Sequence, residues 1–290
     1  MATNIAVSGR SQRYHQLTKA LFYLGVALIV LFCVAPLLYV IDEALKPTRD
    51  LQASPPTLLP SSISFDSFPR AFSDHAGFSS NIKNSAIIAG TSTLIALIFG
   101  ASAAYAIARL RFKGRATVLT VILGVNLFPA IALIGPLYIF FYNRGWIDTY
   151  QALIIPNVVF TLPLTIWILT TFFRELPKEL EESAKVDGAG LLSTFFLVVL
   201  PLTAPGIFTA AILAFINAWN EYLFAVSFTT NGSVQPVTVG LANFSGGANF
   251  YVPWGEIAAG AVIVTLPLIV LVLILQRRIV SGLTAGAVKG

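Results

Sequence analysis

The chain has 290 residues, of which 56% are hydrophobic and 11% are charged, and its formal net charge is +5. Soluble domains carry about 25% charged residues, so the composition excludes an ordinary soluble protein. Apolar runs of about 20 residues, the length that crosses a ~30 Å hydrocarbon core, recur along the chain. The sequence therefore predicts an all-α integral membrane protein.

Six transmembrane helices follow from the positions of these runs. Two prolines, Pro129 and Pro136, are expected to kink the third helix. The proline-rich segment between the first two helices is expected to be extended. The predicted helices cover residues 17–41, 84–108, 117–142, 152–173, 201–228 and 256–276. Within a membrane domain at 20–276 they leave external loops at 42–83, 143–151 and 229–255, and tails at 1–19 and 277–290.

The positive charges predict the orientation of these helices. Thirteen of the 18 Lys and Arg residues fall in the two tails and in the loops after the second and fourth helices. Cytoplasmic segments carry an excess of Lys and Arg, so both termini are expected in the cytoplasm. The cluster from Arg109 to Arg115 is explained by this rule, and it predicts no nucleic-acid partner.

A cytoplasmic coupling loop is predicted at 174–200, between the fourth and fifth helices, and its polar part at 174–190 interrupts the apolar sequence. Eight of its first fourteen residues are charged. Pro177 suits the first turn of a helix, Glu181 and Lys185 are spaced to pair, and Gly188 and Gly190 can end the helix. The pattern predicts a short amphipathic helix that could seat in a groove of a cytosolic partner. From the residues alone, an interfacial helix lying on lipid headgroups remained an equal alternative.

The second half of this helix and the residues after it resemble a known motif. The run from Glu182 to Ala189, followed after eight residues by Val198 to Pro201, resembles the EAA motif of binding-protein-dependent ABC importer permeases. That motif reads Glu-Ala-Ala, three residues, Gly, and an Ile-x-Leu-Pro nine residues later. Ser183 replaces the first alanine and Val198 the isoleucine. The matching residues are Glu182, Ala184, Gly188, Leu200 and Pro201.

The layout of nearly the whole chain, with the segment Phe215 to Tyr222 in the fifth helix, resembles the MalG-type subunits of the carbohydrate branch. The resemblance implies a type I ABC importer permease fold in a bacterial inner membrane. It also implies a second, MalF-like permease, an ATPase dimer and an extracytoplasmic sugar-binding protein or lipoprotein. ATP and Mg²⁺ are expected on the ATPase subunits and no cofactor on this chain. The implied coupling residues are Glu182, Ser183, Ala184, Asp187, Gly188 and Ala189.

A polar group in the fifth helix is the candidate substrate path. Asn217, Asn220 and Glu221 are spaced at i, i+3 and i+4, so a continuous helix places them on one face. A buried charge in a membrane faces the bundle or a water-filled path. With an aromatic neighbour, Trp219 or Tyr222, such groups suit a sugar. Polar contacts that only join helices are the alternative.

Other chemistry is not indicated by the sequence. There is no P-loop pattern, and two histidines and one cysteine predict no metal site and no catalytic residues. The uncharged external loop at 229–255 is expected to be mobile. The alternatives to an ATP-driven sugar importer are an ion- or proton-coupled transporter that uses Glu221 and a membrane scaffold or channel.

Overall fold

The computed structural model describes residues 6–75, 77–245 and 252–285, and within these ranges the chain forms helices and no strands. It divides into two compact units, Met1–Ala71 with Pro253–Val262 and Phe72–Val252 with Ile263–Gly290. The prediction of an all-helical protein is confirmed.

The helices of the described ranges are numbered here in chain order. Short 3₁₀ segments at Val125–Leu127, Ala130–Leu133 and Asn243–Ser245 and a π-helical turn at Phe195–Val199 interrupt the series. The α-helices are α1 Ala6–Leu45, α2 Thr48–Leu51, α3 Ser67–Ser73, α4 Phe78–Arg109, α5 Arg115–Gly124, α6 Ile134–Tyr142, α7 Tyr150–Glu175, α8 Lys178–Val186, α9 Leu191–Thr194, α10 Leu200–Leu202, α11 Ala204–Trp219, α12 Leu223–Phe228, α13 Val237–Ala242 and α14 Trp254–Ala285.

Within the described residues, four helical stretches are long and apolar enough to cross a membrane unaided, and two bent pairs bring the number of candidate spans there to as many as six. The single stretches are Tyr14–Leu45, Phe78–Arg109, Tyr150–Glu175 and Trp254–Leu275. The bent pairs fall where the sequence predicted the third and fifth helices.

The third predicted helix is broken instead of kinked. Its halves, Arg115–Leu127 and Ala130–Tyr142, meet at 85°. The break includes Pro129, which cannot donate a helical hydrogen bond. Pro136 lies in the first turn of α6, where a missing N–H leaves no carbonyl unpaired, and the helix continues through it.

The fifth predicted helix begins earlier than expected and is bent. It starts with α9 at Leu191 instead of Pro201, and Leu191–Leu202 meets Ala204–Trp219 at 78°. Pro205 explains the restart at α11, because it has no N–H to bond the carbonyl four residues before it. The helix ends again at Trp219, before α12 begins.

The first unit contains helices in the segment that the sequence predicted to be extended. α1 continues to Leu45, and α2 and the start of α3 follow. Lys46, 1% exposed, lies with Nζ 2.9 Å from Asp42 Oδ2 and 2.6 Å from Glu43 Oε1. It also donates to the Thr57 carbonyl over 2.8 Å. The two hydrogen bonds and the ion pair with Asp42 hold the connection after α2 to the end of α1.

The second unit is built on α4, α7 and α11, which pack through small and apolar side chains. A buried cluster that includes Ala104, Leu169 and Ala210 lies between them. Gly100 of α4 meets Thr165 of α7 so closely that a Cβ at this glycine would lie 2.7 Å from Thr165 Cγ2. Thr165 is held in place by donating to the Thr161 carbonyl over 3.0 Å.

This contact predicts that Gly100→Ala lowers the stability of the purified chain by about 1–3 kcal/mol, the usual cost of overpacking. Gly90→Ala in the same helix is the matched control, because a Cβ there has no atom within 4 Å. The control is expected to gain up to ~1 kcal/mol from helix propensity. Thermal unfolding in detergent measures both, and equal melting temperatures would contradict the packing described here.

Candidate functional site

The charged stretch forms α8, a nine-residue helix between two membrane segments. Pro177 takes an extended conformation, with ψ 134°, and stands immediately before the helix instead of in its first turn. Glu179 and Glu181 lie in the first turn, where carboxylates interact favourably with the helix dipole. The predicted short helix is confirmed.

Gly188 ends α8 in a Schellman motif. Its φ of +84° lies in the left-handed region that glycine adopts without strain. The Ala189 N–H donates to the Ala184 carbonyl over 2.9 Å, and the Gly188 N–H donates to the Lys185 carbonyl over 3.0 Å. Gly190 has no part in this turn, because its backbone is extended and precedes α9. The prediction of a glycine stop is therefore confirmed for Gly188 and wrong for Gly190.

A buried ion pair fastens α8 to the end of α4. Arg109 Nε lies 2.6 Å from Glu181 Oε1, and the two side chains are 6% and 8% exposed. The Tyr105 hydroxyl donates to Glu181 Oε2 over 3.1 Å. Arg109 Nη2 also donates to the Leu176 carbonyl over 2.6 Å, just before α8 begins. One arginine therefore holds both the start of the stretch and its helix.

This network corrects two interpretations of the sequence. Glu181 was expected to pair with Lys185, but its carboxylate turns to Arg109, and the described part of the chain shows no Glu181–Lys185 ion pair. Arg109 was explained by topology alone. Tyr105 and Arg109 are four residues apart on α4, a spacing that signals a shared face. No local signal distinguishes Glu181 from its neighbour Glu182.

The predicted coupling residues lie mostly on the opposite, accessible side of α8. Four of them, Glu182, Ser183, Asp187 and Gly188, are exposed, and Ala184 and Ala189 are half-buried. Beside them Val186 is 88% exposed and Leu192, after the turn, is 70% exposed. α8 thus presents carboxylates and apolar groups together on a surface that a partner could cover.

The candidate substrate-path residues do not share one helical face, because α11 ends at Trp219. Asn217 and Asn220 are both exposed. Trp219 is buried, with 3% of its surface exposed, whereas Tyr222 is 44% exposed. Of the two aromatic candidates, Tyr222 is the one with an accessible ring.

Glu221 has a backbone role that the sequence did not reveal. Its Oε1 accepts the Phe224 N–H over 2.6 Å and its Oε2 accepts the Ala225 N–H over 3.1 Å. These are N–H groups of the first turn of α12, which have no partner within the helix. The Glu221 carbonyl accepts from the Thr238 hydroxyl over 2.8 Å. Glu221 therefore caps α12 and joins it to α13.

The loop that was expected to be mobile is held over its first part. Asn84 Nδ2 donates to the carbonyls of Ser233, over 3.2 Å, and Gln235, over 3.0 Å, while the Tyr150 hydroxyl donates to Asn84 Oδ1 over 2.7 Å. The Val237 N–H donates to Ser85 Oγ over 2.8 Å. Residues 246–251 of this loop lie outside the described residues.

Asp148 ties the same loop to the turn before α7. It is the non-glycine residue with a positive φ, +60°, in the described ranges. Its carboxylate accepts from the N–H groups of Thr230, over 2.6 Å, and Asn231, over 3.0 Å, and from the Thr230 hydroxyl. Burial raises the pKa of Asp148, but these hydrogen bonds outweigh it and hold the pKa below its ordinary value.

Comparison with known proteins shows which family of sequences the chain matches. Residues 92–284 match the family model described as "Binding-protein-dependent transport system inner membrane component". The chain is 41% identical to the trehalose/maltose transport system permease protein MalG of Thermococcus litoralis, over 96% of this chain and 99% of that protein. It is 45% identical to the trehalose transport system permease protein SugB of Mycobacterium tuberculosis, over 91% and 95%.

Among solved structures, the chain resembles a subunit of a bacterial ABC transporter involved in the import of the acidic polysaccharide alginate. The TM-score is 0.76 at 22% identity, with 92% of this chain and 97% of that chain covered. A chain from the alginate transporter in complex with its pentasaccharide-bound periplasmic protein gives a TM-score of 0.67 at 16% identity, with 92% and 95% covered. At these identities the likeness concerns the fold.

The buried network predicts that two neighbouring glutamates differ in their effect on stability. Glu181→Ala leaves Arg109 buried without its ion pair and is expected to cost about 3–5 kcal/mol. Glu182→Ala removes an exposed carboxylate and is expected to change stability by no more than ~0.5 kcal/mol. Denaturation of the two purified variants beside the parent chain measures this, and similar losses in both would contradict the network.

Proposed function

The chain belongs to the binding-protein-dependent transport system inner membrane components, and from this we propose that it forms half of the translocation pathway of an ATP-driven importer for di- or oligosaccharides. The observation that carries the proposal is α8, a helix anchored by a buried ion pair on one side and exposed as the EAA-like motif on the other. In this proposal α8 is the coupling helix that a cytosolic ATPase subunit grips.

The anchoring of α8 supports a mechanical role. If a flexible loop alone joined α8 to the rest of the chain, α8 could move without moving the membrane helices. Here Arg109 joins α8 to α4, and α4 packs along α7 and α11. Movement of α8 is therefore expected to be transmitted to these three helices, which reorient between inward- and outward-facing states. Glu182 would offer its carboxylate to basic or N–H groups of the ATPase groove.

The substrate is proposed from the relatives and from the polar residues of the fifth span. The two relatives described above are named for trehalose and maltose, which are disaccharides. Asn217 and Asn220 expose amides and Tyr222 exposes a ring, groups that suit sugar hydroxyls and the apolar faces of a sugar. In this proposal these residues border the path, and the role of Glu221 is to cap α12 beside it.

The partners follow from the same proposal. A second, MalF-like permease completes the pathway, two ATPase subunits bind ATP and Mg²⁺, and an extracytoplasmic binding protein or lipoprotein delivers the sugar. The chain lies in a bacterial cytoplasmic membrane with both termini on the cytoplasmic side, as the distribution of Lys and Arg predicts. The exposed apolar surface of Tyr14–Leu45 faces lipid or the second permease.

The coupling role predicts that Gly188→Val abolishes sugar-stimulated ATP hydrolysis by the reconstituted complex while membrane insertion is unchanged. A β-branched residue is strained at a φ of +84°, so the Schellman turn after α8 is lost. Gly190→Val is the matched control, since this glycine is extended and a Cβ there meets no atom within 4 Å.

Glu182→Lys tests the exposed surface of the same helix. It reverses one accessible charge without touching the buried network, and it is expected to abolish stimulated hydrolysis with normal insertion. Full stimulation in both Gly188→Val and Glu182→Lys would rule out α8 as the coupling helix.

The capping role of Glu221 gives a further prediction that separates this proposal from proton-coupled transport. Glu221→Gln keeps an oxygen that can accept from the Phe224 N–H, so uptake is expected to stay within a few-fold of the parent. Glu221→Ala removes the cap and is expected to cost about 0.5–2 kcal/mol of stability. Uptake is measured with and without an uncoupler at constant ATP, and loss of uptake in Glu221→Gln or with the uncoupler would favour proton coupling.

A further inference from the structure

A basic crevice of about 590 Å³ lies where the loop between α4 and α5 meets the start of α8. It is open to the surface, and four of the five residues that line it are cations. The lining residues are Arg111, Phe112, Lys113, Arg115 and Lys178.

The four cations have no counter-charge within the described part of the chain. None of them takes part in an ion pair or a side-chain hydrogen bond there, although α8 carries exposed carboxylates such as Glu179 and Glu182. Arg109, two residues before the crevice, is by contrast paired with Glu181 and bonded to the Leu176 carbonyl. Four unpaired cations around one crevice form a concentrated positive field that attracts an anion.

The crevice lies beside the ends of candidate membrane spans, which places it at the membrane interface. Residues 110–114 join α4 to α5, and both helices are parts of candidate spans. Apolar side chains alternate with the charges, since Leu110 is 40% exposed and Phe112 is 41% exposed. Basic groups interleaved with exposed apolar groups are typical of segments that lie at the headgroup level.

We propose that this crevice binds the phosphate headgroup of an anionic membrane phospholipid. The guanidinium groups of Arg111 and Arg115 can each offer paired donors to phosphate oxygens. Lys113 and Lys178 add point charges, and Phe112 with Leu110 would contact the start of the acyl chains. Basic pockets beside transmembrane helices are suited to such headgroups.

The charges of α8 and of the crevice favour a lipid over an acidic protein surface as the ligand of the crevice. The exposed charges of α8 and its end are mixed, with Glu179, Glu182 and Asp187 beside Lys178 and Lys185. A protein that binds the three carboxylates needs positive groups. The crevice needs a negative one, and its apolar neighbours are the groups that acyl chains cover. Because Lys178 is the first residue of α8, the bound headgroup adds a bridge between the α4–α5 loop and that helix.

Native mass spectrometry of the full chain in detergent tests the proposal by counting retained lipids. The probes are dioleoylphosphatidylglycerol and dioleoylphosphatidylcholine, which share acyl chains but differ in net charge, and sn-glycerol 3-phosphate as a free phosphate. The parent chain is expected to retain phosphatidylglycerol preferentially. Lys113→Gln combined with Lys178→Gln is expected to weaken this binding about 25-fold, since each cation near an anionic headgroup contributes about fivefold.

The matched control is Arg174→Gln combined with Lys185→Gln, which removes two exposed charges of the same stretch outside the crevice. It is expected to keep binding within about twofold of the parent, because neither charge lines the crevice and the contribution of a cation falls off within a Debye length of the headgroup. Lys113→Arg with Lys178→Arg should restore binding, which separates a lost charge from a damaged fold.

Three results would overturn the proposal. The first is equal retention of the two lipids by the parent chain or equal losses in both glutamine double variants. The second is binding of glycerol phosphate as tight as that of the lipid, which indicates a free phosphate ligand. The third is a crevice that cross-links to carboxylates of the ATPase while showing no lipid preference, which indicates an acidic protein partner. The lipid measurements use the single chain and the cross-linking uses the assembled complex, and failure of either leaves the importer function untouched.

Discussion

The buried pair between Arg109 and Glu181 determines how the charged helix is carried by the membrane helices. Two charges removed from water need further hydrogen bonds, and here the Tyr105 hydroxyl donates to Glu181 while the Leu176 carbonyl accepts from Arg109. Since successive residues on a helix are turned by about 100°, burying Glu181 directs Glu182 outward. The same pair therefore both fastens α8 and exposes the motif residues.

α4 connects this site to the opposite end of the second unit. Its 32 residues rise by about 1.5 Å each, which gives a rigid rod of about 48 Å. Near its start, Asn84 and Ser85 hold the backbone of residues 233–237. At its end, Tyr105 and Arg109 hold α8. α4 therefore contacts α8 near one end and the backbone of residues 233–237 near the other.

The helix breaks show how polar backbone is accommodated within apolar sequence. Backbone N–H and C=O groups cannot remain unpaired in a hydrocarbon environment, so each break needs a partner. Pro205 lacks a donor at the break before α11. At a separate break, before α12, the Glu221 carboxylate accepts two N–H groups of the first helical turn. Glu221, a candidate ion site in the sequence, thus also has a backbone role.

By itself the sequence determined the features that depend on local composition and spacing. Runs of apolar residues predict the membrane helices, and the motif from Glu182 to Pro201 carries the family resemblance. Gly188 predicts the end of α8 because a left-handed residue is a local requirement. The tertiary structure alone decided that Glu181 pairs with Arg109, that Glu221 turns away from Asn217, and that the third and fifth helices bend. The ion pair depends on groups far apart in the chain, since Tyr105 and Glu181, which meet beside it, are separated by 76 residues. The Glu221 cap and the bends involve nearby residues, but a proline in a helix can kink it or end it, so the spacing of residues alone does not decide between the two.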